Sequence, residues 1–174
     1  MAPSGPQRQK SVALDTNVLM DLARGEESTV DAIELMGERL PGAVCLVLPT
    51  VIQELAYIAR KGDTAREQRD AKRALGGIRE WGFQPINFIP AGHAITDNVA
   101  MKIREAGLLP VQEVNDSLFI AEAALAECAI IVSSDRHIRD IDQSRLNKLL
   151  NEADVSAVVI SSPRQLLREF EPRR

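Results

Sequence analysis

The chain has 174 residues, of which 45% are apolar and 26% are charged, and its formal net charge is −4. This length suits one compact domain, and the ordinary glycine and proline content excludes collagen-like, low-complexity and wholly disordered chains. An acidic chain with one Trp, one Tyr and four Phe is not typical of non-specific nucleic-acid binders or of proteins that stack bases on aromatic side chains.

Strand-like and helix-like segments alternate along the chain, which is typical of an α/β fold. In chain order the patterns predict a strand at Ser11–Leu14, helices at 16–23 and 27–40, a strand at 43–48, helices at 49–62 and 63–81, a strand at 83–89, helices at 92–106 and 116–128, a strand at 129–132, a helix at 144–151, a strand at 156–160 and a helix at Pro163–Phe170. Gly76-Gly77 or Gly82 is expected to break the helix at 63–81. Asn115 is expected to cap the helix at 116–128.

These elements form one expected domain over residues 11–170, with frayed tails at 1–10 and 171–174. No apolar run approaches the ~18 residues of a membrane span, and residues 1–10 lack the apolar stretch of a signal peptide. We therefore expect a cytoplasmic protein with no membrane partner. The helical segment 120–128 is apolar around most of its circumference, so we expect it to contribute a homodimer face.

The two cysteines, Cys45 and Cys128, lie far apart in apolar segments. This placement predicts buried free thiols in a reducing compartment. Neither His93 nor His137 has metal-ligand spacing to a cysteine, which disfavours a structural zinc site.

Four acidic residues fall at the ends of predicted strands or at the starts of predicted helices. Asp15 ends the first strand, Asp135 follows the fourth, Glu54 lies one turn into the helix after the second strand, and Asp116 begins the helix that leads into the fourth. Ligands of parallel α/β sheets bind beyond the carboxyl ends of the strands. The sequence therefore predicts a rim of four carboxylates at this edge.

A carboxylate cluster of this kind favours a bound divalent cation. Two carboxylates ~4 Å apart repel by ~4 kcal/mol at an effective dielectric of 20, and a divalent cation removes that repulsion. Ligands that are all oxygen select Mg²⁺ or Mn²⁺, and such ions assist in-line displacement at phosphodiesters.

Each acid also has an ordinary explanation when it is considered alone. Asp15 is suited to cap the following helix, and Asp116 complements the dipole of a first helical turn. Glu54 resembles a solvated helix residue and Asp135 a turn residue. The coincidence of all four at one edge is what favours a functional site.

Four segments carry a family resemblance: Val12-Ala13-Leu14-Asp15-Thr16-Asn17-Val18-Leu19, Pro49-Thr50-Val51-Ile52-Gln53-Glu54-Leu55, Asn115-Asp116-Ser117-Leu118-Phe119-Ile120-Ala121 and Ile131-Val132-Ser133-Ser134-Asp135. Together they resemble the PIN domain family over roughly residues 11–160. The resemblance implies a three-layer α/β/α fold whose five-stranded parallel sheet has the order 3-2-1-4-5.

The same resemblance implies RNA cleavage that depends on Mg²⁺ or Mn²⁺, with Asp15, Glu54, Asp116 and Asp135 as the acidic quartet. It also implies that Ser133 assists the last acid. Many small bacterial PIN proteins are ribonuclease toxins that a neighbouring antitoxin inhibits, and this sequence is similar to them but longer. We therefore expect an endoribonuclease with an RNA substrate and a possible antitoxin partner. The alternative is a catalytically weak or inactive PIN-like module that binds RNA or a protein.

Other interpretations and contacts are weaker. A phosphatase of the haloacid dehalogenase type needs an acid where this chain has Asn17, and nucleotide-binding glycine loops are absent. Arg136 and Arg139 are the candidates for phosphate contact nearest the predicted site. His137 is either a phosphate contact or an ordinary loop residue. Residues 60–80 hold seven basic and four acidic side chains, which indicates an RNA contact or a solvated helix with ion pairs.

Overall fold

The structure, a computed structural model, describes residues 9–170. Residues 1–8 and 171–174, which make up most of the predicted tails, lie outside the described residues. The strands are β1 (Ser11–Leu14), β2 (Val44–Val47), β3 (Gln84–Pro85), β4 (Cys128–Val132) and β5 (Val159–Ser161). The helices are α1 (Thr16–Arg24), α2 (Glu27–Arg39), α3 (Pro49–Lys61), α4 (Ala65–Glu80), α5 (Pro90–Glu105), α6 (Val114–Leu125), α7 (Arg136–Arg139), α8 (Gln143–Glu152) and α9 (Pro163–Phe170).

The five strands form an all-parallel sheet in the order β3-β2-β1-β4-β5, which confirms the expected order. The central strand β1 pairs with β2 through Ala13 opposite Leu46 and with β4 through Ala13 opposite Ile131. Helices pack on both faces, as the three-layer prediction requires. Val12 and Leu14 are fully buried because β1 is covered on both sides.

The strand predicted at 83–89 is wrong in length, since β3 comprises only Gln84 and Pro85. Pro85 has no N–H to give to a ladder, so the strand stays at the sheet edge. One further bond, from the N–H of Ile86 to the carbonyl oxygen of Val47 at 3.1 Å, ends the pairing.

Of the two alternatives, the break at Gly76-Gly77 is wrong, because α4 continues to Glu80, and the break at Gly82 is confirmed, because Gly82 has a φ of 74° just after the helix ends. Ala71, Ala74 and Ile78 are buried on one face of this helix, so burial holds the glycines in helical conformation. Gly77 itself lies under the indole of Trp81: a Cβ there would come 2.6 Å from the ring, whereas a Cβ at Gly76 would meet nothing within 4 Å.

The helix α6 begins at Val114, with Glu113 before it and no side-chain cap, so the prediction that Asn115 caps it is wrong. The helix ends at Leu125, and Cys128 belongs to β4. Residues 119–124 are buried within the chain. The expected homodimer face on this helix is therefore wrong, because the domain's own core takes up its apolar circumference.

The last strand begins three residues later than predicted, at Val159 rather than Ser156. Two side chains of α8 accept hydrogen bonds from backbone N–H groups near the start of β5. Asn147 Oδ1 accepts from the N–H of Val158 at 3.1 Å, and Gln143 Oε1 accepts from the N–H of Ile160 at 3.0 Å. These bonds fix how the chain enters β5.

Both cysteines are free thiols, as predicted, but only Cys128 is fully buried, while Cys45 is half-buried. Burial raises the pKa of Cys45 to about 11 and that of Cys128 to about 12, so both thiols are protonated near neutral pH. Within residues 9–170, none of the helices has the length and apolar character needed to cross a bilayer.

The two adjacent glycines of α4 give a matched stability test. Gly77→Ala is expected to destabilise the fold by about 1–3 kcal/mol, because the new methyl group collides with the Trp81 ring. Gly76→Ala is expected to stabilise it by about 0.5–1 kcal/mol, because the site is open and alanine favours helix. Urea denaturation of both variants measures the difference, and equal effects would contradict the packing described.

Candidate functional site

The four predicted carboxylates line one cavity of about 260 Å³ at the carboxyl edge of the sheet. We call it the acidic cavity. Asp15 follows β1, Glu54 lies on α3, Asp116 lies in the first turn of α6, and Asp135 follows β4. The other lining residues are Thr16, Asn17, Met20, Arg24 and Ile58. Four segments distant in sequence thus contribute to one site.

Asp15 is buried and its position is held by three donors. Its Oδ1 accepts from the backbone N–H of Thr16 at 2.7 Å. Its Oδ2 accepts from Ser133 Oγ at 2.5 Å and from Asn17 Nδ2 at 3.2 Å. The carboxylate therefore caps α1, as expected for an aspartate before a helix, and it also lines the acidic cavity.

The hydrogen bonds of Ser133 and Asn17 join the end of β4 to the start of α1. The buried Ser133 hydroxyl donates to Asp15 and accepts from the N–H of Asp135 at 3.0 Å. Asn17 Oδ1 accepts from the N–H of Ser134 at 3.1 Å. Ser133 thus contacts the side chain of the first acid and the backbone of the last.

Glu54 is held by the residue next to Asp15. Thr16 Oγ1 donates to Glu54 Oε2 at 2.6 Å, so two of the carboxylates are linked through adjacent residues at the start of α1. This contact gives Thr16 a role that the sequence motif alone did not reveal.

A buried carboxylate behind the cavity ties α3 to α6. Glu122 on α6 accepts from Thr50 at the start of α3, through the backbone N–H at 3.1 Å and through Oγ1 at 2.9 Å. Burial raises the pKa of Glu122, and the two bonds from Thr50 oppose that shift. These hydrogen bonds therefore connect α3 and α6, the helices that carry Glu54 and Asp116.

Burial and mutual repulsion raise the pKa values of Asp15 and Asp116. The pKa of Asp15 rises to about 7, chiefly because the side chain is desolvated and further because Asp116 and Glu54 are near; the bonds from Ser133 and Thr16 oppose the shift. Burial also raises the pKa of Asp116 to about 6, with added repulsion from Asp135, Glu113 and Glu54.

These carboxylates suit a divalent cation. The acidic donors of the cavity are all oxygen, which is the donor set that Mg²⁺ and Mn²⁺ prefer. Arg24 is the one cation among the lining residues described, and its guanidinium already contacts Asp70 (Nε–Oδ2 2.9 Å) and Asp21 (Nη1–Oδ1 3.5 Å). A small cation among the carboxylates would offset the repulsion that contributes to the raised pKa values of Asp15 and Asp116.

Sequence reasoning missed Glu113. Ligand atoms of Glu113, Asp116 and His137 lie within 4.8 Å of one another, a spacing that permits a shared metal ion. His137 Nδ1 lies 3.2 Å from Glu113 Oε1, and the N–H of His137 donates to Asp135 Oδ1 at 2.7 Å. The available signal was the spacing of Glu113 three residues before Asp116.

The two arginines predicted to contact phosphate lie outside the acidic cavity. Arg136 is strongly exposed and pairs with Asp140 (Nε–Oδ2 3.1 Å). Arg139 lines a separate cavity together with Arg164. A role for either in substrate binding stays a prediction.

The basic segment at residues 60–80 makes contacts within the domain. Asp70 accepts from Arg24 and also lies 3.9 Å from Arg66 Nε. Arg73 Nη1 donates to the carbonyl oxygen of Ala23 at 3.1 Å. Part of this charge therefore joins α4 to α1.

Comparison with known proteins gives a family and a fold. The family model described as PIN domain matches residues 12–144. No curated protein sequence matches the chain. Among solved structures the chain is similar to a chain of "Crystal structure of VapBC2 from Rickettsia felis bound to a DNA fragment from their promoter", with a TM-score of 0.60 and 14% identity over 87% of this chain and 98% of that chain. At that identity the likeness shows the fold alone.

The raised pKa of Asp15 predicts a stability that depends on pH. Its value is about 7 in the folded chain against 3.8 for the ordinary side chain, so the folded state binds more protons between these values and loses stability as pH rises through this range. Asp15→Asn removes the charge. We expect the free energy of unfolding of the variant, relative to that of the wild type, to increase from pH 5 to pH 8 by on the order of 2–3 kcal/mol in EDTA.

Thermal unfolding at both pH values measures this difference, with the exposed Glu152→Gln as the control. Added Mg²⁺ is expected to raise the melting temperature of the wild type more than that of Asp15→Asn. A difference between the variant and the wild type that is the same at pH 5 and pH 8 would contradict the assignment.

Proposed function

Because the chain belongs to the PIN domain family, we propose that it is a metal-dependent endoribonuclease that hydrolyses phosphodiester bonds of RNA in the acidic cavity. PIN domains are nucleases, and the proposal adds to this general activity the RNA substrate and the dependence on a metal ion. The observation that carries the proposal is the convergence of Asp15, Glu54, Asp116 and Asp135 on one cavity.

Asp15, Asp116 and Asp135 would hold Mg²⁺ or Mn²⁺, directly or through water, and Glu54 would complete the set. When bound, the cation neutralises charge on the phosphodiester and makes a water molecule more acidic. Three donors keep Asp15 in place, which supports a site whose ligands are positioned before substrate arrives.

In the reaction, a water oxygen attacks phosphorus, the bond from phosphorus to one ribose oxygen breaks, and that oxygen takes up a proton. Glu54 orients the attacking water or accepts its proton. The hydrogen bond from Thr16 fixes one oxygen of this carboxylate and leaves the other for the water. Holding water and phosphate in line supplies much of the rate enhancement.

The likeness to a VapBC2 chain supports a narrower proposal, that the chain is the toxin of a toxin–antitoxin pair and binds an antitoxin protein. We also propose a homodimer, with its contact away from the buried residues 119–124 of α6. Most of the large apolar side chains that the described residues leave exposed lie on or near α5, in the segment between α5 and α6, or at the first residue of α6. They are Ile89, Ile95, Met101, Val111 and Val114.

Neutralising the acids tests the nuclease. Wild type is expected to cleave single-stranded or structured RNA with Mn²⁺. Asp15→Asn and Asp116→Asn are expected to reduce cleavage by more than the roughly 10- to 100-fold that removing a ligand's hydrogen-bond partner costs. Asp140→Asn, an exposed acid paired with Arg136, is the control and retains activity.

Gel analysis of labelled RNA gives the rates. Equal cleavage by all variants, or cleavage that survives EDTA, would show that the carboxylates and a metal do not perform the reaction. RNA or partner binding without cleavage, unchanged when the acids are neutralised, would instead support the inactive binding module.

Expression in bacteria tests the toxin. Wild type is expected to arrest growth because it cleaves cellular RNA, whereas Asp116→Asn is expected to allow growth at the same protein level. Growth curves and immunoblots measure both quantities. Normal growth with active enzyme would favour a housekeeping nuclease over a toxin.

A further inference from the structure

A second cavity of about 360 Å³ lies at the same edge of the sheet as the acidic cavity. We call it the arginine cavity. It is formed where α7 and α9 meet the start of α2, and its basic residues are Arg139 and Arg164. The PIN family match ends at residue 144, so Arg164 lies beyond it.

The two cavities share walls at two places. Ser134 lines the arginine cavity, and the next residue, Asp135, lines the acidic cavity. Asp21 lines the former and Arg24 the latter, and these side chains are in contact (Oδ1–Nη1 3.5 Å). A polynucleotide with one phosphate among the carboxylates therefore has its flanking nucleotides beside the arginine cavity.

The two arginines differ from most others in the described part of the chain. The guanidinium groups of Arg24 and Arg66 contact Asp70, that of Arg136 contacts Asp140, and that of Arg73 donates to a backbone oxygen. Arg139 and Arg164 are exposed, and among residues 9–170 neither has an ion-pair partner. Their donors are free to bind a ligand.

The acids of the cavity do not cancel this charge. Asp21 contacts Arg24, which leaves Glu26 as the other carboxylate on the lining. Two planar guanidinium forks match the oxygens of a phosphate and bind it through parallel hydrogen bonds. The hydroxyl groups of Ser28 and Ser134 on the same lining add neutral donors.

The start of α9 is held in place, which fixes the backbone of Arg164. Ser162 Oγ accepts from the N–H of Gln165 at 3.2 Å, and Gln165 Oε1 accepts from the N–H of Ser162 at 2.8 Å. Pro163 begins the helix with its backbone angle already suited to it. Arg164 therefore extends from a rigid turn.

We propose that the arginine cavity binds a phosphate of the RNA strand next to the scissile bond, with Arg139 and Arg164 as its ligands. The inference rests on the proposed nuclease function and adds a subsite to it. A strand held at two points, one at the carboxylates and one at the arginines, is positioned along its length. We therefore expect cleavage to depend on the nucleotides on one side of the bond.

Binding provides the first test, and it does not require cleavage. The double variant R139Q/R164Q is compared with R39Q/R168Q, which removes the same charge from exposed arginines that do not line the cavity. Fluorescence anisotropy with a labelled RNA oligonucleotide in EDTA gives the affinity at several salt concentrations. We expect R139Q/R164Q to bind more weakly, and we expect the steepness of its plot of log K against log salt to fall by about 0.7 for each phosphate that the variant no longer neutralises. Equal affinities and slopes in the two double variants would overturn the proposal.

Cleavage provides the second test. Shortening an RNA substrate from each end is expected to lower the wild-type kcat/KM sharply when one particular flanking phosphate is removed. In R139Q/R164Q this drop in kcat/KM is expected to be absent, while the shortest cleaved substrates react with the same kcat/KM as in the wild type. A drop in kcat/KM of the same size in the variant would overturn the proposal that the arginine cavity binds this phosphate. Absence of wild-type cleavage on every RNA would overturn the nuclease proposal, while the binding comparison would still decide whether the arginines hold phosphate.

Discussion

The Ser133 hydroxyl donates to Asp15 across the ends of β1 and β4, and the geometry of the site depends on this bond. Parallel pairing of β1 with β4 brings the two strand ends together, and the buried hydroxyl turns that proximity into a fixed distance. The same oxygen accepts from the N–H of Asp135. The first and last acids are thus positioned by one atom, which belongs to neither.

The clustering of buried carboxylates lowers the stability of the folded chain, although it places the acids where a cation could bind. A buried carboxylate beside other carboxylates has its pKa raised, as at Asp15 and Asp116, and the folded chain carries that energetic burden near neutral pH. A folded protein tolerates such a site when the surrounding packing over-determines it. Here the sheet, the cap of α1 and the Thr16–Glu54 bond supply the constraint. Under the proposed function the negative net charge is compatible with a phosphate substrate, because cations held by the acids would reverse the local potential.

Much of the fold was predictable because burial acts on both faces of the central strands. The apolar runs before Asp15 and Asp135 are strands for this reason. Their ends, together with the starts of the helices that carry Glu54 and Asp116, predicted that the four acids lie at one edge of the sheet. The errors arise where tertiary contacts override local signals. Gly77 looks like a helix breaker but lies beneath Trp81, and Asn115 looks like a cap although α6 starts at Val114. The apolar residues of α6 do not reveal whether a second chain or the domain's own core covers them. Arg24 reaches the acidic cavity through the packing of α1, which its sequence neighbours do not indicate, whereas Glu113 had a signal in its spacing three residues before Asp116.

The contact between Glu122 and Thr50 has a mechanical consequence. The two hydrogen bonds attach the start of α3 to the middle of α6 inside the core, so separating these helices would leave a buried carboxylate without its donors, which is costly. Glu54 lies on α3 and Asp116 on α6, so the same buried contact restrains the distance between their backbones. The other two acids, Asp15 and Asp135, follow β1 and β4, so a change in the width of the acidic cavity would require these strand ends to move relative to α3 and α6.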